Sequence, residues 1–108
     1  MIYEQRLYTA ATGKLPQLMA RFRDHTLRIW ERHGIRQAGF WTTLIGPSNH
    51  ELVYMLAWQS LEERERKWSA FAADPEWLKA RADSEKDGPI LANLASQLLV
   101  PTDFSSVK

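Results

Sequence analysis

The chain has 108 residues, 44% of them hydrophobic and 25% charged, a composition that suits one globular domain over residues 1–108 and leaves little room for a second. Its 14 basic and 13 acidic side chains give a net charge of +1, and the two signs are interleaved, so there is no one-signed field to attract nucleic acid or an anionic membrane. Cysteine is absent, which excludes disulfides, thiolate nucleophiles and thiolate metal sites.

The amino terminus, "MIYEQRLYT", passes directly into strand-forming residues without a basic or Arg/Ser-rich leader, and no apolar run approaches the roughly 20 residues that span a bilayer. A cytoplasmic protein is the expectation. Alternation from Ile2 to Thr9 sets Ile2, Glu4, Arg6 and Tyr8 on one face of a strand and Tyr3, Gln5, Leu7 and Thr9 on the other. "ATGK" turns the chain, Pro16 fits the first turn of a helix, and Leu15, Leu18, Met19, Phe22, Thr26 and Ile29 recur at helical spacing until Gly34 caps the end.

Phe40 to Ile45 and Leu52 to Trp58 are apolar runs joined by "GPSNH", the pattern of a β-hairpin with a five- or six-residue loop. Ser60 with Glu63 then matches a capping box and opens a helix. Leu61, Trp68, Phe71 and Ala72 supply its apolar stripe, and Glu62 with Arg66 and Glu63 with Lys67 are spaced for ion pairs on a solvated face. "ADPEW" restarts the helix, with Asp74 as cap, Pro75 at the first position and Trp77, Leu78, Arg81 and Ala82 as the next stripe. "DGP" ends it, and "ILANLASQLLV" reads as a last strand.

The order β-α-β-β-α-β predicts an α+β, ferredoxin-like fold, a four-stranded antiparallel sheet with both helices on one face. Neither face of the hairpin is polar, however. Two helices shield one face only, and the second would be an apolar patch that soluble monomers rarely expose. A homodimer with sheets packed face to face is therefore expected.

The segments "MIYEQRLYT", "GKLP", "AGFWTTLIGP", "SLEERERKW" and "ADPEW", with the closing "LLVPTDFS", resemble the NIPSNAP family over nearly the whole chain. That resemblance implies a dimeric α+β barrel, in a superfamily that includes cofactor-independent monooxygenases, isomerases and haem-handling enzymes. The chain departs from the family pattern at Tyr54, Leu56 and Trp58 on the third strand and at Gln97, where a basic residue is usual. A function needing an imidazole or a positive charge at those positions is not expected here.

If the first strand faces the barrel interior, as the resemblance implies, Glu4, Arg6 and Tyr8 converge on a cavity walled by Tyr54, Leu56 and Trp58, with Thr42 a weaker addition. A buried Glu4–Arg6 pair that specifies register is the plainer alternative. His25, His33 and His50 lack the spacing of a helical metal site, so neither metal nor cofactor is expected. Trp30, Trp68 and Trp77 fall on helices as core or interface. The favoured expectation is a homodimeric barrel that binds a small, partly apolar molecule between sheet and helices. A cofactor-independent monooxygenase or isomerase using Tyr8 or Tyr54, Glu4 and Arg6, and a dimeric scaffold without a pocket, are the alternatives.

Overall fold

Residues 1–108 are all described in the computed structural model. The alternation of the first segment becomes β1 (Ile2–Ala10), whose Glu4, Arg6, Tyr8 and Ala10 are buried in turn. It lies inside a four-stranded sheet of order β2-β3-β1-β4, with β2 at Arg36–Thr42, β3 at Glu51–Trp58 and β4 at Leu91–Leu99. All three pairings are antiparallel, and Glu4 stands opposite Leu56, Arg6 opposite Tyr54 and Tyr8 opposite Leu52. This is the ferredoxin-like α+β arrangement, the two halves of each β-α-β unit split by an inserted strand.

The helices are α1 (Leu15–Arg21), α2 (Leu27–His33), α3 (Leu61–Ala72) and α4 (Pro75–Ser84). Leu18, Phe22, Ile29, Trp30 and Phe71 bury against Tyr8, Leu52, Tyr54, Leu56 and Trp58 in one core. The shortest dimension is 19 Å, about the thickness of one sheet and one helical layer. Nothing therefore covers the sheet's other face, where Tyr3, Leu7, Val53 and Met55 are half-buried and Trp41 is 54% exposed. The chain after β4 borders that face, and Val100, Pro101 and Val107 join Tyr3, Trp41, Met55 and Leu99 around an apolar depression of about 550 Å³. No helix is long and apolar enough to cross a membrane.

Three features depart from the sequence reading. The first helix is interrupted between α1 and α2 by a π-helical turn, Phe22–Thr26, in which Leu27 N–H reaches Phe22 O and the buried Thr26 hydroxyl donates to Arg21 O. Hydrophobic spacing does not register such a turn, because residues on either side keep one buried stripe.

The second strand begins at Arg36 rather than Phe40 and stops at Thr42. Gly34, at φ 71°, ends α2 so tightly that Ile35 N–H bonds back to Trp30 O at 2.9 Å, and the chain enters the sheet at once. A bulge at Gly39 (φ 120°) then resets the register before Phe40, and the Trp41 ring lies so close that a Cβ on Gly39 would sit 2.6 Å from it. Leu44 and Ile45, expected in the strand, are each 93% exposed in the long loop that leads to β3.

The stripes of the late helices hold only in part. Trp68, Phe71 and Trp77 face the core as expected, and Ala80 is buried too, whereas Leu61, Ala72, Leu78, Arg81 and Ala82 are exposed. The caps are as read: Ser60 Oγ accepts from Glu63 N–H at 3.1 Å and Asp74 Oδ1 from Glu76 N–H at 2.8 Å. Glu63 reaches back to Gln59 N–H, one position before the cap. The Glu62–Arg66 and Glu63–Lys67 pairs form at 3.1 and 3.5 Å.

Candidate functional site

The helix-facing side of β1 delivers Glu4, Arg6 and Tyr8 in one row, and the pairing with β3 brings Tyr54 beside Arg6. The Arg6 guanidinium organises them: Nη1 donates to Glu4 Oε2 at 2.8 Å, Nη2 to Tyr8 Oη at 3.1 Å and Nε to Tyr54 Oη at 2.7 Å. Trp58 Nε1 donates to Glu4 Oε1 at 3.0 Å. Glu4, Arg6, Tyr8, Tyr54 and Trp58 are thus brought together, all buried. Thr42 is not; it lies exposed on the edge strand β2, opposite Leu52.

Two further members come from α3. Arg64 donates through Nε and Nη2 to the two oxygens of Glu4 at 2.8 and 3.2 Å, and the Trp68 ring lies 4.6 Å from the Arg6 guanidinium carbon, within cation–π range. Arg64, set among the alternating charges of "LEERERK", is not among the candidates that the sequence offers. The available signal was the spacing of Arg64, Trp68 and Phe71, which sets the arginine on the inward stripe.

Glu4 accepts four hydrogen bonds from Arg6, Trp58 and Arg64. Burial pushes its carboxyl up, but the bonds from Arg64, Arg6 and Trp58 outweigh that and hold it below its ordinary value. Burial also works against the Arg6 cation, yet Tyr54, Tyr8 and Glu4 together raise it above the ordinary guanidinium value. Burial, reinforced by Tyr8, pushes the Tyr54 phenol well up. One carboxylate faces two guanidinium groups, so the cluster carries a net positive charge.

Proton accounting in this cluster leaves a remainder. Tyr54 Oη donates to Tyr8 Oη at 2.8 Å, and each oxygen also accepts from Arg6, so two phenolic protons share one mutual contact and one proton has no acceptor in the protein. Trp30 Nε1 is a second buried donor without an acceptor. Trp30 stacks on Phe40 at 6.1 Å and meets Phe22 edge-on at 5.7 Å. Phe22 and Phe40, with Met19, Arg23, Leu27 and Leu52, line an open apolar cavity of about 220 Å³ at the surface where the helical layer meets the sheet. Phe22 also touches Tyr8 and Tyr54, at 5.9 and 5.3 Å between ring centres, so a single aromatic layer separates cavity and tyrosines.

The histidines stand apart. His25 is exposed on the π-helical turn, His50 lies in the loop before β3, and His33 Nε2 is 2.6 Å from Asp74 Oδ2, which also takes Arg32 Nη1 at 2.7 Å. Arg32, then His33, hold the Asp74 carboxyl well below the usual range. This cluster joins the end of α2 to the cap of α4. Gln97 pairs across the open face with Gln5.

Comparison with known proteins agrees with this architecture. The family model described as NIPSNAP matches residues 3–106. The crystal structure of Atu4242 from Agrobacterium tumefaciens shares 28% identity over 100% of both chains, with a TM-score of 0.87. A NIPSNAP domain protein of Burkholderia xenovorans shares 28% identity, covering 97% of this chain and 98% of its own, with a TM-score of 0.83. A Nitrosomonas europaea protein named as a candidate antibiotic biosynthesis monooxygenase shares the fold at a TM-score of 0.65, with 12% identity over 94% of this chain and 98% of its own. No curated protein sequence matches the chain.

Proposed function

The chain belongs to the NIPSNAP family, and on that family's α+β barrel-type fold we propose that it acts as a homodimer binding a small, partly apolar molecule that carries an acceptor oxygen, between the sheet and the helices. The observation that carries this reading is the surplus phenolic proton of the Tyr8–Tyr54 pair beside the apolar cavity at Phe22. A buried donor left without a partner costs about 1–3 kcal/mol, and a ligand oxygen recovers it. The net positive charge of Glu4, Arg6 and Arg64 favours an electron-rich oxygen there.

Phe22, Leu27, Phe40 and Leu52 offer the apolar contact and Arg23 a charge at the mouth. The volume, about 220 Å³, is below the ~300–1,000 Å³ of drug-sized pockets, which suits a small ligand. Phe22, the first residue of the π-helical turn, is the side chain that must yield for such a molecule to reach the tyrosines. The dimer follows from the bare apolar face of the sheet, which a second copy covers with its own.

Binding is preferred to catalysis because Glu4, the expected proton acceptor, already takes four hydrogen bonds and sits below its ordinary pKa; both make it a poor base. The test uses acetophenone, a small aromatic ketone, titrated into methyl-labelled protein. Saturable shifts confined to Leu27, Leu52 and Met19, weakened when Tyr8→Phe is combined with Tyr54→Phe so that no phenolic proton remains, support the reading. Shifts that never saturate, or that centre on Val53 and Met55 of the opposite face, refute it.

A further inference from the structure

Arg21 is the second buried arginine of the molecule, 5% exposed at the end of α1, and the Glu4 cluster does not use it. Its guanidinium carbon lies over the Trp77 ring at 5.2 Å. Only Nη1 is engaged, by a long contact of 3.3 Å to Ser84 Oγ and another of 3.6 Å to Glu85 Oε1. Nε is buried with no acceptor at all, and Nη2 makes no hydrogen bond within the protein, so one whole edge of the fork is unpaired. Burial lowers the Arg21 pKa, and Glu85, its nearest counter-charge, does not compensate. This contrasts with Arg6, whose three nitrogens all find acceptors.

A guanidinium in this condition is unusual, since buried charges are held by close partners or hydrogen bonds. Arg21 lines a cavity of about 330 Å³ between α1 and α4, together with Gln17, His25, Ser84 and Lys86. Asp24, Asp83 and Asp87 also line it. Asp83 is held by Lys79 at 2.6 Å and Glu85 by Arg81 at 3.4 Å, which leaves Asp24 and Asp87 against Arg21 and Lys86.

We propose that this cavity is a binding site for a small monocarboxylate, whose two oxygens bridge the Nε and Nη2 edge of Arg21 while Lys86 supplies a second positive charge at the rim. The planar fork matches a carboxylate oxygen for nitrogen, and a carboxylate satisfies both unpaired donors at once. The aspartates at the rim select against more highly charged anions: inorganic phosphate, partly dianionic at neutral pH, meets Asp24 and Asp87 with about 1.5 negative charges on average, an acetate ion with one. Trp77, stacked on the guanidinium, holds the fork in plane. The site is separate from the cavity at Phe22, and either can stand without the other.

The test is a titration of the Arg21 Nε–H resonance with sodium acetate at constant ionic strength and neutral pH. A saturable shift in the millimolar range is expected in the wild type, shared by the indole N–H of Trp77 on which the guanidinium lies, and that Trp77 shift is expected to vanish in Arg21→Gln. Lys86 is exposed and its loss leaves the core intact, so Lys86→Ala keeps the test alive if Arg21→Gln does not fold; affinity for acetate is expected to drop about two- to fivefold. A shift that stays linear in acetate, an affinity untouched by Lys86→Ala, or inorganic phosphate binding as tightly as acetate would each overturn the proposal.

Discussion

Glu4 and Arg64, 60 positions apart in the chain, meet across the core with Arg64 Nε donating to Glu4 Oε1 at 2.8 Å and Nη2 to Oε2 at 3.2 Å. This two-point contact ties α3 to the central strand, and it closes the side of Glu4 that Arg6 does not reach. Arg64→Met keeps the side-chain stem and removes the fork. Urea unfolding is expected to show a loss of about 1–3 kcal/mol, since a buried carboxylate forfeits two charge-assisted bonds. Arg66→Met, which breaks only the exposed pair with Glu62, should change stability by less than about 1 kcal/mol. Equal effects of the two substitutions would show that Arg64 acts as a surface residue.

Glu4→Gln leaves Arg6 and Arg64 facing an uncharged amide and is expected to destabilise by about 3–5 kcal/mol at neutral pH. The difference from wild type is pH-dependent with a defined sign. The folded-state pKa of Glu4 lies below its ordinary value of 4.5, so its contribution is fully present above 4.5 and is lost as pH falls through the folded value. Denaturation curves of the two proteins should converge in acid below that point. A gap that stays constant from neutral pH to acid would refute the depressed carboxyl.

Tyr54 makes the opposite prediction at high pH. Its phenol is pushed well above the ordinary 10.0, first by burial and then by Tyr8, so the stability held by the neutral form is complete below 10.0 and is lost as pH rises through the folded value. In an alkaline titration followed by phenolate absorbance, one of the three tyrosines should ionise late, together with unfolding. That step should be missing in Tyr54→Phe, which is also expected to lose about 1–3 kcal/mol because Arg6 Nε is left without its acceptor.

The bare face of the sheet makes a prediction about association. Met55 lies near the middle of β3 on that face, opposite Gln5, and borders the apolar depression. Light scattering at low micromolar concentration should report a dimer for the wild type. Met55→Lys places an unpaired charge in the contact and is expected to weaken association by about thirtyfold or more without unfolding the chain. A wild-type chain that remains a monomer would remove the basis for the shared-sheet assembly.

The row Glu4, Arg6, Tyr8 was legible because a strand's period of two is imposed by the backbone, whatever the side chains are. Tyr54 and Trp58 followed from the same period in β3. The caps at Ser60 and Asp74 were legible for a comparable reason, since the groups that satisfy free N–H donors at a helix start are local in sequence. Arg64 was not, because a charged side chain amid "LEERERK" looks solvated until a carboxylate from another strand is brought to it. Thr42 lies in β2 as read but is exposed on that edge strand, and the strand's bounds moved, because Gly34 and Gly39 bring the polar residues Arg36 and Gln37 into it and leave the greasier Leu44 and Ile45 in the loop.

From its residues alone the chain determined its element order, the apolar character of both sheet faces and the identity of the polar row on β1, all of which rest on periodicity and local hydrogen bonding. Tertiary structure alone decided that Arg64 would complete the Glu4 cluster, that Arg21 would be buried without a close counter-ion, and that a π-helical turn would place Phe22 between the tyrosines and the cavity. Those outcomes depend on distances between segments far apart in the chain, and only packing sets such distances.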